Sequence, residues 1–124
     1  RAEAGAGAAV TMDDGSWSHA YGSFHFPNFQ VQNGGSVAVS GEMAADVWQH
    51  WLWTYTAMTG VLKAYRDGVE IDEAIGSATN ISYSGGLQLR IGVRLGHSYF
   101  RGALQHVAVF REALGAGEAA ALAR

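Results

Sequence analysis

The sequence contains no cysteine and only one proline among its 124 residues. Without cysteine, disulfides and thiol chemistry are excluded. Lys and Arg number 8 against 11 Asp and Glu, so the net charge of -3 provides no basic surface for nucleic acid. No apolar run approaches the roughly 18 residues of a membrane-spanning helix, which argues against direct membrane insertion. A charged fraction of 15% also gives no acidic tail or membrane-surface patch.

What the chain does have is 48% hydrophobic residues and 17 glycines. This composition predicts one globular domain of short strands and tight turns. Residues 1–9 are small and featureless, and we expect a linker or frayed end there. The domain is expected over residues 10–124. Because residue 1 is Arg and no signal peptide follows, we expect a segment of a larger polypeptide.

Turn residues divide the chain into short segments with alternating polarity. Leu87, Leu89 and Ile91, for example, alternate with Gln88 and Arg90. Residues 13–22 are predicted as a polar, aromatic loop, and the Ala-rich residues 115–124 as a helix. Strands are predicted at residues 23–31, 36–40, 48–56, 61–66, 69–75, 87–91 and 103–111. The prediction is an antiparallel all-β domain closed by a short C-terminal helix.

Several residues also occur at fixed spacings. In order they are Trp48-x-His50, Thr54-Tyr55, Gly60, Tyr65-x-Asp67-Gly68, Leu89-x-Ile91-Gly92, Phe100-x-Gly102, Leu104, Val107, Val109, Leu114, Glu118 and Leu122. This pattern resembles the laminin G-like and pentraxin-like domains of the concanavalin A-like lectin/glucanase superfamily. The resemblance covers residues 48–122 and implies a jelly-roll β-sandwich. It also implies opening strands that are either missing or contained in residues 1–20. The isolated chain is expected to be poorly soluble or to self-associate, because missing opening strands would leave sheet edges unpaired.

Three carboxylates follow the Asp67-Gly68 pair. Asp-Gly between alternating segments predicts a two-residue hairpin turn, so Asp67 is interpreted as a turn residue. Some glucanases of this superfamily carry three carboxylates at alternate positions of one strand. Strict alternation places Glu70 and Asp72 on one face and Glu73 on the other, with Ala74 where the acid-base should stand. This geometry argues against a retaining glycosidase, and no catalytic residue is predicted.

The five histidines show no metal-ligand spacing, and His50 is interpreted as a packed, hydrogen-bonded side chain. In pentraxin-like domains, calcium ligands follow the Ile-Gly strand. Here residues 93–99 contain no carboxylate and include Arg94. Since calcium prefers several oxygen ligands, no calcium site of that kind is expected, and no cofactor is predicted. Asp13 and Asp14 leave another rim site open.

Alternation places Trp51, Trp53 and Tyr55 on one face of their strand. These rings could form a stacking platform for sugars, or they could fill the space between two sheets or pack on a neighbouring module. The second interpretation is favoured, because large aromatic side chains usually bury their area.

The first functional interpretation is a non-catalytic extracellular or cell-surface recognition module that binds a glycan or an extracellular protein, as in adhesion. A structural module packed on neighbouring modules of the same polypeptide and a glycoside hydrolase remain as alternatives, because the fold hosts all three. Asn80-Ile81-Ser82 is a candidate glycosylation sequon. The candidate binding residues lie in two loops predicted at the rim: Asp14, Trp17, His19, Tyr21, His97 and Tyr99.

Overall fold

The computed structural model describes residues 7–12, 17–21, 27–31, 35–38, 44, 46–81, 89–93, 100 and 102–124. This part of the chain contains eight strands and one helix. They are β1 Gly7–Met12, β2 Trp17–Tyr21, β3 Pro27–Val31, β4 Gly35–Ala38, β5 Trp51–Thr56, β6 Val61–Arg66, β7 Val69–Ile75, β8 Leu89–Ile91 and α1 Ala116–Leu122. The predicted all-β class with a short C-terminal helix is confirmed.

The strands form two antiparallel sheets. The larger has the order β4-β3-β2-β1-β8, and the smaller has the order β5-β6-β7. β1 joins distant parts of the sequence, because Val10 lies opposite His19 of β2 on one side and Ile91 of β8 on the other. Every pairing in the smaller sheet is between consecutive strands.

A tight turn connects β6 to β7. Asp67 and Gly68 have backbone φ angles of 51° and 84°, and Arg66 lies opposite Val69. Positive φ at both central residues is the geometry of a two-residue hairpin turn whose twist matches paired strands. The predicted Asp-Gly hairpin is therefore confirmed, with Arg66 as the last residue of its first arm, as the predicted strand 61–66 implies.

The core lies between the two sheets. Its buried cluster consists of Phe29, Val31, Val37, Leu62 and Ala64, which come from β3, β4 and β6. A Cβ built on Gly35, the first residue of β4, would lie 3.0 Å from the Cα of Gly76. The sheets therefore approach each other closely at this end, as expected for a sandwich in which one core holds both layers.

Two predictions near the N-terminus differ from the structure. β1 begins at Gly7, so the linker predicted for residues 1–9 overlaps a strand, and β1 and β2 place two opening strands within residues 7–21. The loop predicted at residues 13–22 contains β2, which pairs with strands on both sides. Aromatic residues favour strands, and this segment gains a ladder on each edge.

The strand predicted at residues 103–111 is absent from the part of the chain that the structure describes. Its apolar composition suits a strand, but no described strand pairs with it. The predicted C-terminal helix is confirmed as α1, which contains Glu118 in its first turn and buries Ala119. No helix in the described part of the chain is long and apolar enough to span a membrane.

Candidate functional site

Three aromatic side chains of β5 face the core. Trp53 lies opposite Ala64 and Tyr55 opposite Leu62, and both of these β6 residues are fully buried. Residues directly opposite in an antiparallel pair share a face. Trp51, Trp53 and Tyr55 therefore lie on one face, as predicted, and all three pack against the core cluster.

The two indoles of β5 stack on each other, and Trp53 also stacks on a ring of the other sheet. The ring centroids of Trp51 and Trp53 are 5.5 Å apart with an interplanar angle of 8°. Trp53 also stacks on Phe29 of β3, with centroids 6.1 Å apart and an angle of 24°. Both separations lie within the favourable range of about 4.5–7 Å for aromatic pairs. This packing supports the interpretation that the rings fill the space between the sheets.

An open groove of about 1120 Å³ lies beside β5. Residues 46–55 and residues 103–114 line it, and Phe29 and Leu122 also contribute. The Trp51 and Trp53 side chains are part of this lining. The aromatic face thus packs on the core and also borders a large open space.

More than half of the exposed large apolar side chains in the described part of the chain line the groove. Seven of the twelve such side chains in this part of the chain line it: Val47, Trp48, Leu104, Val107, Val109, Phe110 and Leu122. Trp48 is 66% exposed, although the predicted aromatic face did not include it. A contiguous exposed apolar patch is typical of an interaction surface.

Reciprocal hydrogen bonds fix the start of the groove wall. The Oδ1 atom of Asp67 accepts the His50 N–H at 2.9 Å, and the Asp67 N–H donates to the His50 carbonyl at 2.8 Å. The β6–β7 turn therefore holds the residue that precedes β5. The Nδ1 atom of His50 is buried and has no hydrogen-bond partner in the described part of the chain.

A tyrosine hydroxyl fixes the segment that follows β7. The Tyr55 hydroxyl donates to the Thr79 carbonyl at 2.6 Å and accepts the Thr79 N–H at 3.2 Å. The Ser77 carbonyl lies 3.1 Å from the same oxygen. Beyond this anchor Asn80 is exposed, while Ile81 packs against the core. The glycosylation candidate therefore has an accessible asparagine, and the third residue of its sequon lies outside the described residues.

A β-bulge corrects the predicted arrangement of the carboxylates. Asp72 lies opposite Ala64 and Glu70 lies opposite Tyr65, which leaves Ile71 as an extra residue in β7. The shift breaks strict alternation. Ile71 packs against the core, and Glu70 lies on the same face as Glu73, not apart from it as predicted.

Lys63 shows that the two glutamates share this face. Its Nζ atom lies 3.1 Å from Glu70 Oε1 and 3.8 Å from Glu73 Oε2. The hydrogen bond to Glu70, together with the charges of both glutamates, raises the pKa of Lys63 above its ordinary value of 10.5. Asp72 Oδ1 instead accepts the Glu73 N–H at 2.9 Å. Each of the three carboxylates therefore has a local partner.

Spacing in the sequence carries a signal for the bulge. Strict alternation would place Ile71 on the same face as Glu73, and Ala74 on the same face as Glu70. With an extra residue at position 71, the apolar side chains of Ile71 and Ala74 both reach the core. The two glutamates then lie together on the other face. A spacing of three between like residues in a strand is thus the feature that indicates a bulge.

The predicted rim residues fall mostly beyond what the structure describes. Trp17, His19 and Tyr21 belong to β2 and not to a loop. The remaining candidates, which are Asp14, His97 and Tyr99, lie outside the described residues together with Asp13 and Arg94. No group of three or more His, Asp or Glu side chains within the described ranges could hold a metal ion. The absence of a cofactor stays a prediction.

The sequence profile of a laminin G-type family, described as part of the concanavalin A-like lectin/glucanases superfamily, matches residues 1–120. No curated protein matches the chain. The structure is similar to that of a native heptameric SAP-like pentraxin from Limulus polyphemus, with 18% identity and a TM-score of 0.74 over 97% of this chain. It is also similar to an S-layer domain-containing protein (residues 221–444) from Clostridium thermocellum, with 20% identity and a TM-score of 0.53 over 98% of this chain. The chain spans 64% of the length of each solved chain.

Proposed function

The chain belongs to this laminin G-type family of the concanavalin A-like superfamily, and on that premise we propose that it is a non-catalytic recognition module. Its ligand is a glycan or a protein, as the lectin-like superfamily suggests in general. The family alone does not choose among functions, because one fold carries many. The choice rests on the site.

The apolar groove beside β5 is the observation that carries this proposal. Aromatic rings that border an open groove can bind the apolar face of a sugar or the side chains of a protein. The exposed Trp48 is the ring best placed to contact a ligand, since Trp51 and Trp53 pack in the core stack. Recognition in this proposal uses the groove.

An extracellular or cell-surface location is part of the proposal. Laminin G-like and pentraxin-like domains are usually extracellular. The exposed Asn80 supports this location, because a sequon asparagine must be accessible to carry a glycan. Expression of the chain through a secretory pathway tests the modification. The mass of the wild-type chain should fall on enzymatic deglycosylation. The mass of the Asn80→Gln variant should not change on the same treatment.

A structural module of an extracellular assembly is the second candidate. The exposed apolar lining of the groove would then be covered permanently by a neighbouring module. The fold similarity to an S-layer domain-containing protein is compatible with this alternative. A permanent cover predicts that groove substitutions disrupt assembly, whereas Trp17→Ala in β2 and Tyr99→Ala leave binding unchanged.

The glycoside hydrolase alternative is not favoured. A retaining enzyme needs two carboxylates about 5 Å apart that flank a sugar. Glu70 and Glu73 instead pair with Lys63, and neither lines the groove. We expect no hydrolysis of β-glucan by the chain. Detection of hydrolysis that disappears in Glu70→Gln would overturn this expectation.

A glycan array and a binding assay with the matched pair Trp48→Ala and Met58→Ala test the recognition proposal. Both residues are highly exposed, at 66% and 92%, but only Trp48 lines the groove. Ligand binding should weaken in Trp48→Ala and remain unchanged in Met58→Ala. Equal binding by both variants would remove the groove from the proposed function.

A further inference from the structure

The turn between β6 and β7 joins an aspartate side chain to a backbone nitrogen with which it can react. Gly68 has no Cβ atom to shield its N–H. The Gly68 nitrogen can therefore attack the Cγ atom of Asp67, and water leaves from the carboxyl group as a five-membered succinimide forms. Asp67 is exposed, so water also has access to open this ring.

The native conformation of the turn opposes ring closure. A succinimide requires the Asp67 Cβ atom and the Gly68 nitrogen to be eclipsed about the Cα–C bond. The φ angles of 51° and 84° at the two central residues are those of a type I′ turn, whose first central residue has a ψ of about 30°. At that ψ the two atoms are nearly trans, and the nitrogen points away from Cγ. Asp67 must therefore leave its left-handed conformation before it can react.

Contacts on both sides hold the turn in this conformation. The Oδ1 atom of Asp67 accepts the His50 N–H at 2.9 Å, and the Asp67 N–H donates to the His50 carbonyl at 2.8 Å. A Cβ built on Gly68 would lie 3.0 Å from the Cα atom of Ala120 and 3.2 Å from the Cβ atom of Ala123. The helix α1 thus packs closely on the turn, and opening the turn disrupts these contacts.

We propose that Asp67-Gly68 is a site of slow isoaspartate formation that reacts when the turn opens. Water adds to the succinimide at the former main-chain carbonyl carbon of Asp67, and the bond from that carbon to the Gly68 nitrogen breaks. The chain then runs through the Cβ and Cγ atoms of Asp67, and the former main-chain carbon becomes a free carboxylate. One water molecule leaves and one adds, so the reaction needs no other reactant.

The product cannot keep the native turn. An isoaspartyl link adds one backbone atom between Arg66 and Val69, which lie opposite each other across a two-residue turn. The Cγ atom becomes part of the main-chain amide, so the native acceptor of the His50 N–H is lost. His50 lines the groove, and the modification therefore releases a groove-lining residue from the turn. The modification itself does not depend on the proposed recognition function.

Incubation of the 124-residue chain at neutral pH in water enriched in heavy oxygen tests the site. Each ring opening adds one labelled oxygen, which peptide mapping by mass spectrometry assigns to an aspartate. A synthetic peptide of residues 65–71 is the unfolded reference. Isoaspartate should form at Asp67 at least about tenfold more slowly in the folded chain than in the peptide, because the open turn is a minor state. Asp46 and Asp72, which do not precede glycine, should remain unmodified.

Urea at a concentration that unfolds the chain provides the matching control. The rate at Asp67 should then rise to that of the peptide, because the type I′ turn is lost. Peptide mapping separates this site from Asp14-Gly15, a second Asp-Gly pair that lies outside the described residues. A folded chain that reacts as fast as the peptide would overturn the role of the turn. Product in the unfolded chain alone, or in neither state, would exclude the site from the native protein.

The isolated product tests the structural consequence. Ion-exchange chromatography separates it from the unmodified chain, and NMR follows hydrogen exchange in both. Exchange of the His50 N–H should be at least about fivefold faster in the product, as expected for the loss of one hydrogen bond. The Gly60 N–H, which donates to the Thr56 carbonyl at the other end of β6, should exchange at the same rate in both forms. Equal exchange of the His50 N–H in the two forms would overturn the proposed release.

Discussion

Replacement of Asp67 tests whether the hydrogen bond from the His50 N–H to the Asp67 side chain stabilises the β6–β7 turn. Three substitutions separate the contributions. Asparagine keeps a side-chain acceptor and tolerates the observed φ of 51°. Glycine removes the acceptor but adopts positive φ without strain. Alanine removes the acceptor and is also strained at this φ.

The structure sets the expected magnitudes. Loss of the exposed hydrogen bond from the His50 N–H should lower the free energy of unfolding by about 1 kcal/mol. The left-handed conformation should cost alanine about 1 kcal/mol more. Asp67→Asn should therefore change stability by less than about 0.5 kcal/mol, Asp67→Gly by about 1 kcal/mol and Asp67→Ala by about 2 kcal/mol. At about 4 °C per kcal/mol, Tm should fall by about 8 °C for alanine.

Urea unfolding followed by the fluorescence of the four tryptophans measures these differences. Each variant should be measured at two protein concentrations, so that self-association is separated from folding. The reasoning is refuted if Asp67→Asn is as unstable as Asp67→Ala, because the acceptor and the φ angle would then not explain the effect. Equal stability of the glycine and asparagine variants would show that the hydrogen bond contributes nothing.

Three further predictions concern the core, a turn and an ion pair. Leu62→Ala should lower the free energy of unfolding by about 2–5 kcal/mol because Leu62 is fully buried, whereas Met58→Ala, at 92% exposed, should stay within about 0.5 kcal/mol in the same urea assay. Gly60→Ala should lower Tm clearly more than Met58→Ala, because φ is 73° and a Cβ would lie 2.3 Å from a backbone oxygen; equal Tm values would contradict this. The raised pKa of Lys63 means that its ion pair stabilises the fold at pH values below 10.5 and ceases to do so as the pH rises through the folded-state pKa. An NMR titration should show that pKa moving back toward 10.5 in Glu70→Gln, and no change would exclude Glu70 as its main cause.

Features encoded by adjacent residues could be predicted from the sequence. Asp67-Gly68 determines a turn by its own backbone preferences, and the alternation of Trp51, Trp53 and Tyr55 identifies one face of a strand. The helix was also predictable, because an Ala-rich segment has high intrinsic helix propensity. Each of these signals is local.

Features that depend on a partner strand could not be predicted in the same way. β2 was expected to be part of a loop, and its pairing with β1 and β3 is what makes it a strand. Residues 103–111 have the composition of a strand, but a strand also needs a neighbour to accept its hydrogen bonds. The bulge at Ile71 likewise depends on which face of β7 reaches the core.

The groove was not predictable because it is formed by segments far apart in the chain. Trp48 precedes β5, whereas Val109 and Phe110 come from the segment that precedes α1. Only the folded arrangement brings their exposed side chains to one site. For this reason the sequence directed attention to rim loops instead.

The contrast between the two sheets has a consequence for the folding pathway. The sheet β5-β6-β7 pairs only consecutive strands within residues 51–75, whereas β1 must find β8 across the chain to pair Val10 with Ile91. Closing a longer loop costs more chain entropy, and distant contacts form more slowly. The three-stranded hairpin array should therefore form early and act as the template on which β3 and β4 collapse, with the β1–β8 ladder added last.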